Sequence, residues 1–312
     1  MKKAIRLFLA GLTGLIAYLA VAQRPYALAL TAKAAGQHPE CPWNRLLATP
    51  WHAEHLIKLQ DHYAKSIRST ASDPALGIER LESPLRPFWI KTKGADMPGP
   101  ALLAYLLTEQ AWIAAVGMPD VQPGDVVFDI GAHVGTFSAY ALAKGASKVI
   151  MVEPDPTNIE CLRRNFAEDL AAKRVVLVPA GAWSSEKTIE LNVGVANSGT
   201  GSMVVKETQS AIVTVPVRPI DAMVAELGLT KVNILKMDIE GAEREALKGA
   251  SETMRKYKPR LMLDAYHLPD DRTVIPQVVQ AANPDYRLLC GPCAASETPS
   301  GMVLIPHSLY FQ

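Results

Sequence analysis

The sequence has no excess of charge of either sign, because 32 Lys and Arg stand against 31 Asp and Glu and leave a formal net charge of +1. Proteins that bind nucleic acid through bulk charge carry a clear basic excess, so this composition argues against a nucleic-acid partner. Cysteine is scarce as well. Four cysteines, of which only Cys290 and Cys293 lie close together, are too few for a disulfide framework or a paired four-thiolate zinc site, and we assign no metal ligands.

Apolar residues are plentiful by comparison, at 49% of the 312 residues, while charged residues make up 20%. A chain of this length and composition buries a sizeable core and is not intrinsically disordered. The sequence shows no internal repeat and no low-complexity tract, which argues against solenoids and fibrous proteins. A globular fold with one large or two smaller domains is therefore expected.

Short apolar runs alternate with amphipathic runs from residue 124 onward. They predict strands over residues 126–130, 148–153, 175–179, 233–238 and 260–264, and helices over 136–144, 157–167, 222–227, 243–249 and 273–282. This alternation is typical of α/β proteins, in which helices cover both faces of a doubly wound parallel sheet. Extended segments at 188–193, 202–205 and 212–217 are interpreted as an insertion near the mouth of the sheet. Upstream, we predict helices over 51–68 and 101–116.

A glycine-bracketed turn follows the first of these strands. The strand ends with Asp129, and Gly131 and Gly135 lie on either side of a turn that leads into a helix. Ligands of doubly wound sheets bind at this edge, where glycine permits close backbone approach. His133 and Thr136 occupy positions at which the dinucleotide fingerprint has glycine, so a nicotinamide cofactor is disfavoured.

An acidic residue ends the second predicted strand. Glu153 lies where doubly wound nucleotide-binding folds carry the acid that accepts hydrogen bonds from both ribose hydroxyls. Together, the glycine turn and this acid predict a nucleoside-binding site.

Three longer motifs resemble the FkbM-type family of S-adenosylmethionine-dependent methyltransferases, and the resemblance extends over roughly residues 117–312. The motifs are VFDIGAHVGTFS at 127–138, VEPDP at 152–156 with Asn165 downstream, and ILKMDIEGAE at 234–243 followed by LKGA at 247–250. The last block is the most specific. The resemblance implies a Rossmann-like class I methyltransferase fold, in which a seven-stranded sheet has one antiparallel edge strand.

The resemblance also implies S-adenosyl-L-methionine as the cofactor and assigns residues to it. Asp129, Gly131, Ala132 and Gly135 would line the methionine part, with His133 contributing backbone contacts. Glu153, followed by Pro154, would hold the ribose, and residues 180–182, including Gly181 and Ala182, would hold the adenine. Asp238 completes the predicted cofactor set.

Charged residues alternate where the fourth predicted strand ends, at Lys236, Asp238 and Glu240. In extended chain such side chains project from the same side. Methyl transfer to a hydroxyl needs an aligned acceptor oxygen whose proton is removed or shared. We expect Asp238 to hold the acceptor and either Glu240 or His267 to take the proton. The alternative is that Lys236 pairs with Asp238, while Glu240 caps the helix that begins near Ala242.

The sequence thus predicts a methyltransferase that acts on a hydroxyl oxygen of a small-molecule or sugar-type acceptor. One alternative is a membrane-anchored, non-catalytic module that binds S-adenosylmethionine. A less favoured one is a dithiol oxidoreductase that uses Cys290 and Cys293. Residues 101–312 are predicted to form the methyltransferase domain and residues 25–100 an accessory segment, and nothing indicates the oligomeric state.

The first 24 residues resemble a membrane anchor or a signal peptide. Lys2, Lys3 and Arg6 precede an uncharged run over residues 7–22, which is shorter than the roughly 20 apolar residues that a bilayer span needs. We expect retention as an N-terminal hydrophobic anchor; cleavage after Ala22 with export, or a helix lying in the interface, are the alternatives. The charge bias would send the remaining chain outward, whereas the expected cofactor is cytoplasmic. We predict a membrane-associated protein with its catalytic domain in the cytoplasm.

Overall fold

The computed structural model describes residues 30–31, 33–36, 42–92, 98–113, 118–194, 202–204, 210–291, 293–298, 301–306 and 308–312. Its first elements are a long helix α1 (Trp43–Ser66) and the strands β1 (Arg68–Asp73), β2 (Ile78–Glu82) and β3 (Phe88–Lys91). The three strands form an antiparallel sheet in the order β1-β2-β3. The helix agrees with the predicted one, although it starts earlier, whereas the small sheet was not predicted.

Strands and helices alternate through most of the remaining chain. The strands of the central region are β4 (Val126–Ile130), β5 (Lys148–Val152), β6 (Val175–Val178), β10 (Ile234–Met237) and β11 (Arg260–Asp264). The helices are α2 (Gly99–Ile113), α3 (Thr136–Ala143), α4 (Pro156–Asn165), α5 (Ala167–Ala171), α6 (Ile220–Glu226), α7 (Glu243–Lys248), α8 (Ser251–Tyr257) and α9 (Asp271–Ala282). All five predicted strands and all five predicted helices of the alternating region are therefore present, with bounds that differ by at most two residues.

The central sheet has seven strands in the order β12-β15-β11-β10-β4-β5-β6, where β12 is Leu288–Cys290 and β15 is Ser308–Phe311. The inner strands pair in parallel, whereas β15 runs antiparallel to both of its neighbours. The fold is thus the predicted Rossmann-like α/β sheet with one antiparallel strand. That strand is second from the edge and not at the edge as predicted, because β15 inserts between β11 and β12.

The remaining strands lie outside this sheet. Strands β7 (Gly181–Ala182), β8 (Lys187–Gly194) and β9 (Ser210–Arg218) form a small sheet after β6, and β13 (Cys293–Thr298) pairs with β14 (Gly301–Pro306). Two of the three predicted extended segments correspond to β8 and β9. The third contributes only an isolated bridge between Asn192 and Ser202.

The N-terminal sheet packs on the core of the central sheet. Ile78, Leu81 and Phe88 share one buried apolar cluster with Leu103 of α2 and Val127 of β4. The predicted boundary at residue 100 falls one residue inside α2, and this helix packs in the same cluster.

One buried side chain joins the two sheets by hydrogen bonds. The Asn165 carboxamide accepts from the Trp89 backbone N–H at 2.6 Å and donates to the backbone carbonyls of Trp89 and Val134, both at 3.0 Å. Arg86 adds an ion pair to Asp169 at 3.0 Å.

The structure contradicts the predicted membrane localisation. Across the described ranges, no helix is both long enough and apolar enough to cross a bilayer. The predicted anchor over residues 7–22 itself lies outside the described residues.

Candidate active site

A cavity of about 250 Å³ opens at the carboxyl ends of β4, β5 and β10. Strand β4 has β5 on one side and β10 on the other, and the chain crosses over in opposite directions from it. Doubly wound sheets bind ligands at such a switch point. Nine of the predicted site residues line the cavity: Gly131, Ala132, His133, Glu153, Pro154, Gly181, Ala182, Asp238 and Glu240.

The turn after β4 has backbone conformations that require glycine. Gly131 has a φ of +74°, and a Cβ atom there would lie 2.0 Å from the carbonyl oxygen of Asp238. Gly135 has a φ of +88°, and a Cβ atom there would lie 2.2 Å from the Phe166 ring. Gly135 thus meets the core and is not part of the cavity wall, whereas Gly131 is.

His133 reaches the cavity from within this turn, at a φ of +52°. Its backbone N–H donates to Glu153 Oε2 at 2.8 Å. Burial, and then the nearby charge of Lys236, lower the pKa of the His133 imidazole to about 4. The ring is therefore neutral at physiological pH.

Glu153 is fixed by hydrogen bonds in the loop after β5. Its carboxylate accepts from the backbone N–H groups of His133 and Asp155 and from the Asn158 amide, at 2.8, 2.9 and 3.3 Å. The residue is only 5% exposed, and burial raises the pKa of the carboxyl to about 7 despite these donors. A carboxylate offers about four acceptor positions, so one position on Oε2 is left for a ligand.

Three buried acceptor atoms around the same cavity have no hydrogen-bond partner in the described part of the chain. They are Gln110 Oε1, Asp155 Oδ2 and Asn158 Oδ1, and all three residues line the cavity. Buried polar atoms are rarely left unpaired in folded proteins. A ligand with several hydroxyl or amino donors would satisfy them.

Asp129 lies behind the turn and not in the cavity wall. It is completely buried, accepts from Ser138 Oγ at 2.6 Å and forms an ion pair with Lys236 Nζ at 3.3 Å. Lys236 also donates to the Gly131 carbonyl at 3.1 Å. The alternative pairing of Lys236 with Asp238 is therefore wrong, because the ammonium is turned toward β4.

On the side of β4 opposite Glu153, the imidazole of His267 lies among three acidic side chains. His267 Nε2 lies 3.5 Å from both Asp238 Oδ1 and Glu240 Oε2, and its Nδ1 is 3.0 Å from Glu243 Oε1. Burial alone would lower the pKa of the imidazole, but Glu243, Asp238 and Glu240 together raise it to about 10. The structure thus brings together the three residues to which the sequence analysis gives roles in catalysis.

Glu243, which the sequence analysis did not single out, contacts this cluster through His267. Its carboxylate accepts from the backbone N–H groups of Ile239 and Gly241 at 2.9 and 3.0 Å. The N-cap position of α7 is Ala242 and receives no side-chain hydrogen bond, which corrects the alternative in which Glu240 caps this helix. Glu240 has a φ of +53°.

Helix α2 contributes five cavity residues that sequence reasoning missed, among them Tyr105 and Glu109. Burial, and then the charge of Asp238, raise the pKa of the Glu109 carboxyl to about 8. Glu109 is the only charged residue of α2, GPALLAYLLTEQAWI. An isolated charge in an apolar helix is the signal that could have identified it. Tyr266, beside His267 with ring centroids 4.3 Å apart, also lines the cavity.

The cysteine pair lies in a different setting from the predicted dithiol site. Cys290 ends β12 and Cys293 begins strand β13. A reactive thiol of the thioredoxin type lies at a helix N-terminus, and here a strand begins instead.

The sequence matches the family model of the methyltransferase FkbM domain over residues 129–287, which is just over half of the chain. The 31-O-demethyl-FK506 methyltransferase FkbM of Streptomyces tacrolimicus is 28% identical over 162 residues, covering 43% of this chain and 62% of the relative. The hexuronic acid methyltransferase AglP of Haloferax volcanii is 28% identical over 145 residues, covering 44% of this chain and 55% of the relative. The chain therefore spans less than two thirds of the length of these curated relatives.

Among solved structures, methyltransferase FkbM from Methylobacillus flagellatus is 20% identical, with a TM-score of 0.46 over 90% of this chain and 65% of that one. The family match includes the glycine turn, Glu153 and the block from Lys236 to Glu243, which together form the cavity described above. The chain belongs to the family of methyltransferases that carry the FkbM domain.

Proposed function

We propose that the protein transfers a methyl group from S-adenosyl-L-methionine to a hydroxyl oxygen of a small, sugar-type acceptor. The proposal depends on one observation: the cavity has two chemically different sides, one on each side of β4. Glu153 and the unpaired acceptors of Asp155 and Asn158 lie on the β5 side, while Asp238 and Glu240 lie on the β10 side. A nucleoside needs acceptors for its hydroxyls, and a methyl acceptor needs an acidic group near its own hydroxyl.

The residues on the β5 side fit the cofactor. Glu153 Oε2 and Asn158 Oδ1 would each accept from a ribose hydroxyl, and Gln110 Oε1 would accept from the amino group of the methionine part. Gly131 gives the backbone approach that such a ligand needs, and Gly181 and Ala182 line the remaining wall for the adenine. When bound, S-adenosylmethionine supplies an activated methyl group.

The residues on the β10 side hold the acceptor and accept its proton. Asp238 orients the acceptor hydroxyl, as the sequence analysis expects. Glu240 and His267 are the bases predicted from sequence, and we add Glu109, whose carboxyl enters the same cavity from α2. We assign the proton transfer to Glu109, because burial raises the pKa of its carboxyl to about 8, close to the pH at which a general base works best.

The sugar-type acceptor is proposed from two observations. Tyr105 and Tyr266, which are 43% and 36% exposed, both line the cavity. Aromatic rings pack well against the apolar faces of ring-shaped ligands while their hydroxyls bind donors and acceptors. One relative, AglP, is named a hexuronic acid methyltransferase, which is consistent with this class.

Calorimetric titration of the full chain with S-adenosylmethionine and its demethylated product tests the cofactor. Saturable binding is expected, with loss in Glu153→Ala and no change in the control Glu168→Ala, whose side chain is exposed on α5. A screen of sugars and uronic acids with methyl-labelled cofactor then tests transfer. Binding without transfer to any hydroxyl acceptor would favour the non-catalytic binding module, and no binding by folded protein would refute the proposal.

A further inference from the structure

We propose that Asp238, Glu240 and His267 form a binding site for a divalent transition-metal ion at the acceptor end of the cavity. One donor atom from each residue lies within 4.8 Å of the others. His267 Nε2 is 3.5 Å from each carboxylate oxygen. Two ligands held at about 2.1 Å from one ion are separated by about 3.0 to 3.5 Å at octahedral and tetrahedral angles. The two distances from His267 Nε2 are those of ligands that share a cation.

The same distances are unfavourable for direct hydrogen bonds. Charge-assisted N–H···O bonds between imidazole and carboxylate are about 2.7 to 2.9 Å long. The His267 side chain is 4% exposed, and its Nε2 atom has no hydrogen-bond partner within the described residues. A buried nitrogen that points between two carboxylates without bonding to either is explained by an ion between the three groups.

The opposite ring nitrogen supports this assignment independently. His267 Nδ1 lies 3.0 Å from Glu243 Oε1, and Glu243 is completely buried and held by two backbone N–H groups. Histidines that bind metals almost always donate their other N–H to a carboxylate or carbonyl, which leaves the Nε2 lone pair for the ion. Glu243 is therefore a positioning residue for the metal ligand.

The donor set selects the class of ion. Mg²⁺ and Ca²⁺ prefer oxygen ligands alone, whereas one imidazole with two carboxylates suits Mn²⁺, Fe²⁺ or Zn²⁺. Lys236 lines the same cavity, but its ammonium pairs with Asp129 and donates to the Gly131 carbonyl. The sequence alone did not group the three ligands, because His267 is 27 residues from Glu240 and no motif links them.

An ion held by three protein groups keeps positions open for other ligands. A pair of neighbouring acceptor oxygens, such as adjacent hydroxyls or a hydroxyl beside a carboxylate of a uronic acid, would fill two of them. The ion would then orient the hydroxyl and make its proton easier to remove. This role rests on the proposed function, whereas the existence of the ion site does not.

Titration of the metal-free full chain with Mn²⁺, followed by the electron paramagnetic resonance signal of free Mn²⁺, tests the site. One Mn²⁺ per chain is expected to bind, and Zn²⁺ is expected to displace it. Glu240→Gln and His267→Gln should each weaken Mn²⁺ binding by at least about tenfold. Glu190→Gln and His62→Gln change the same residue types on the exposed surface and should bind as the wild type does.

Equal Mn²⁺ binding by the wild type and both site variants, or the absence of stoichiometric binding, would overturn the site. Glu240 is 24% exposed in its side chain, so Glu240→Gln is expected to fold even where His267→Gln does not. A parallel S-adenosylmethionine titration of the metal-free samples separates the two proposals. Cofactor binding without Mn²⁺ binding refutes the ion site alone, and Mn²⁺ binding without cofactor binding refutes the proposed function alone.

Discussion

The Asp238 carbonyl oxygen lies 2.0 Å from the place that a Cβ atom on Gly131 would occupy. The backbone at the ends of β4 and β10 is therefore too close to leave room for any residue larger than glycine at position 131. This contact holds the glycine turn against the residue that we expect to orient the acceptor. The two sides of the cavity are thus in close backbone contact at this position.

Gly131→Ala should destabilise the protein by about 2 to 5 kcal/mol, since an L-residue at this φ costs about 1 to 2 kcal/mol and the clash adds about 1 to 3 kcal/mol. Gly124→Ala is the matched control. Gly124 has a φ of +86°, but a Cβ atom there meets nothing within 4 Å. The control should lose only the conformational part, as measured by urea unfolding. Equal losses in the two variants would contradict the role of the Asp238 contact.

The central sheet could be predicted because its signals are local. Strands β4 and β11 are short apolar runs followed by a turn, and their observed bounds equal the predicted ones. The strands β1 to β3 gave no such signal. The residues of β1 are almost all exposed, and β3 has only four residues, so neither carries an apolar pattern long enough to recognise. The position of β15 depends on long-range pairing, which no local pattern contains.

Some residues of the candidate site could likewise be predicted from local sequence, whereas others could not. Gly131 and Glu153 were found because Gly131 directly follows a predicted strand and Glu153 ends one, at the edge where the fold class places ligands. Glu109 reaches the cavity only because α2 packs across the sheet, and the unpaired acceptors of Gln110 and Asn158 are visible only when their surroundings are known. Sequence reasoning therefore located the side of the sheet that carries the site but missed groups brought there by packing.

Replacing Glu109 by Gln should reduce the rate of methyl transfer by about 100-fold to 10,000-fold, which is the usual contribution of a general base. The affinity for S-adenosylmethionine should stay within about twofold of the wild type, because Glu109 is not one of the groups that we propose to bind the cofactor. Single-turnover rates with an acceptor from the screen, together with cofactor calorimetry, check both expectations. An unchanged rate in Glu109→Gln would return the role to Glu240 or His267. Glu190→Gln serves as the surface control.

Asn165→Ala should lower the free energy of unfolding by about 2 to 4 kcal/mol, because it leaves backbone groups of Trp89 and Val134 without partners in a buried place. The exposed Asn44→Ala should change it by less than about 0.5 kcal/mol. Thermal or urea unfolding measures the difference. A small effect of Asn165→Ala would mean that the N-terminal sheet is held by apolar contacts alone.

As the pH rises, ionisation of Glu153 should lower the free energy of unfolding and favour binding of the cofactor. Burial raises the pKa of this carboxyl from 4.5 to about 7 in the folded protein. Between these values the folded state holds a proton that the unfolded state has lost, so the free energy of unfolding falls as the pH rises through that window. The full effect corresponds to about 3 kcal/mol.

Glu153→Gln removes this ionisation. The variant should be as stable as the wild type near pH 4.5 and more stable by about 1 to 3 kcal/mol at pH 8, because the cost of a buried charge is gone. It should nevertheless bind S-adenosylmethionine far more weakly, since the ionised carboxylate is the stronger acceptor for a ribose hydroxyl. Urea unfolding at the two pH values and calorimetry at pH 8 measure both effects. A stability difference that is the same at pH 4.5 and pH 8 would show that Glu153 does not titrate in this range.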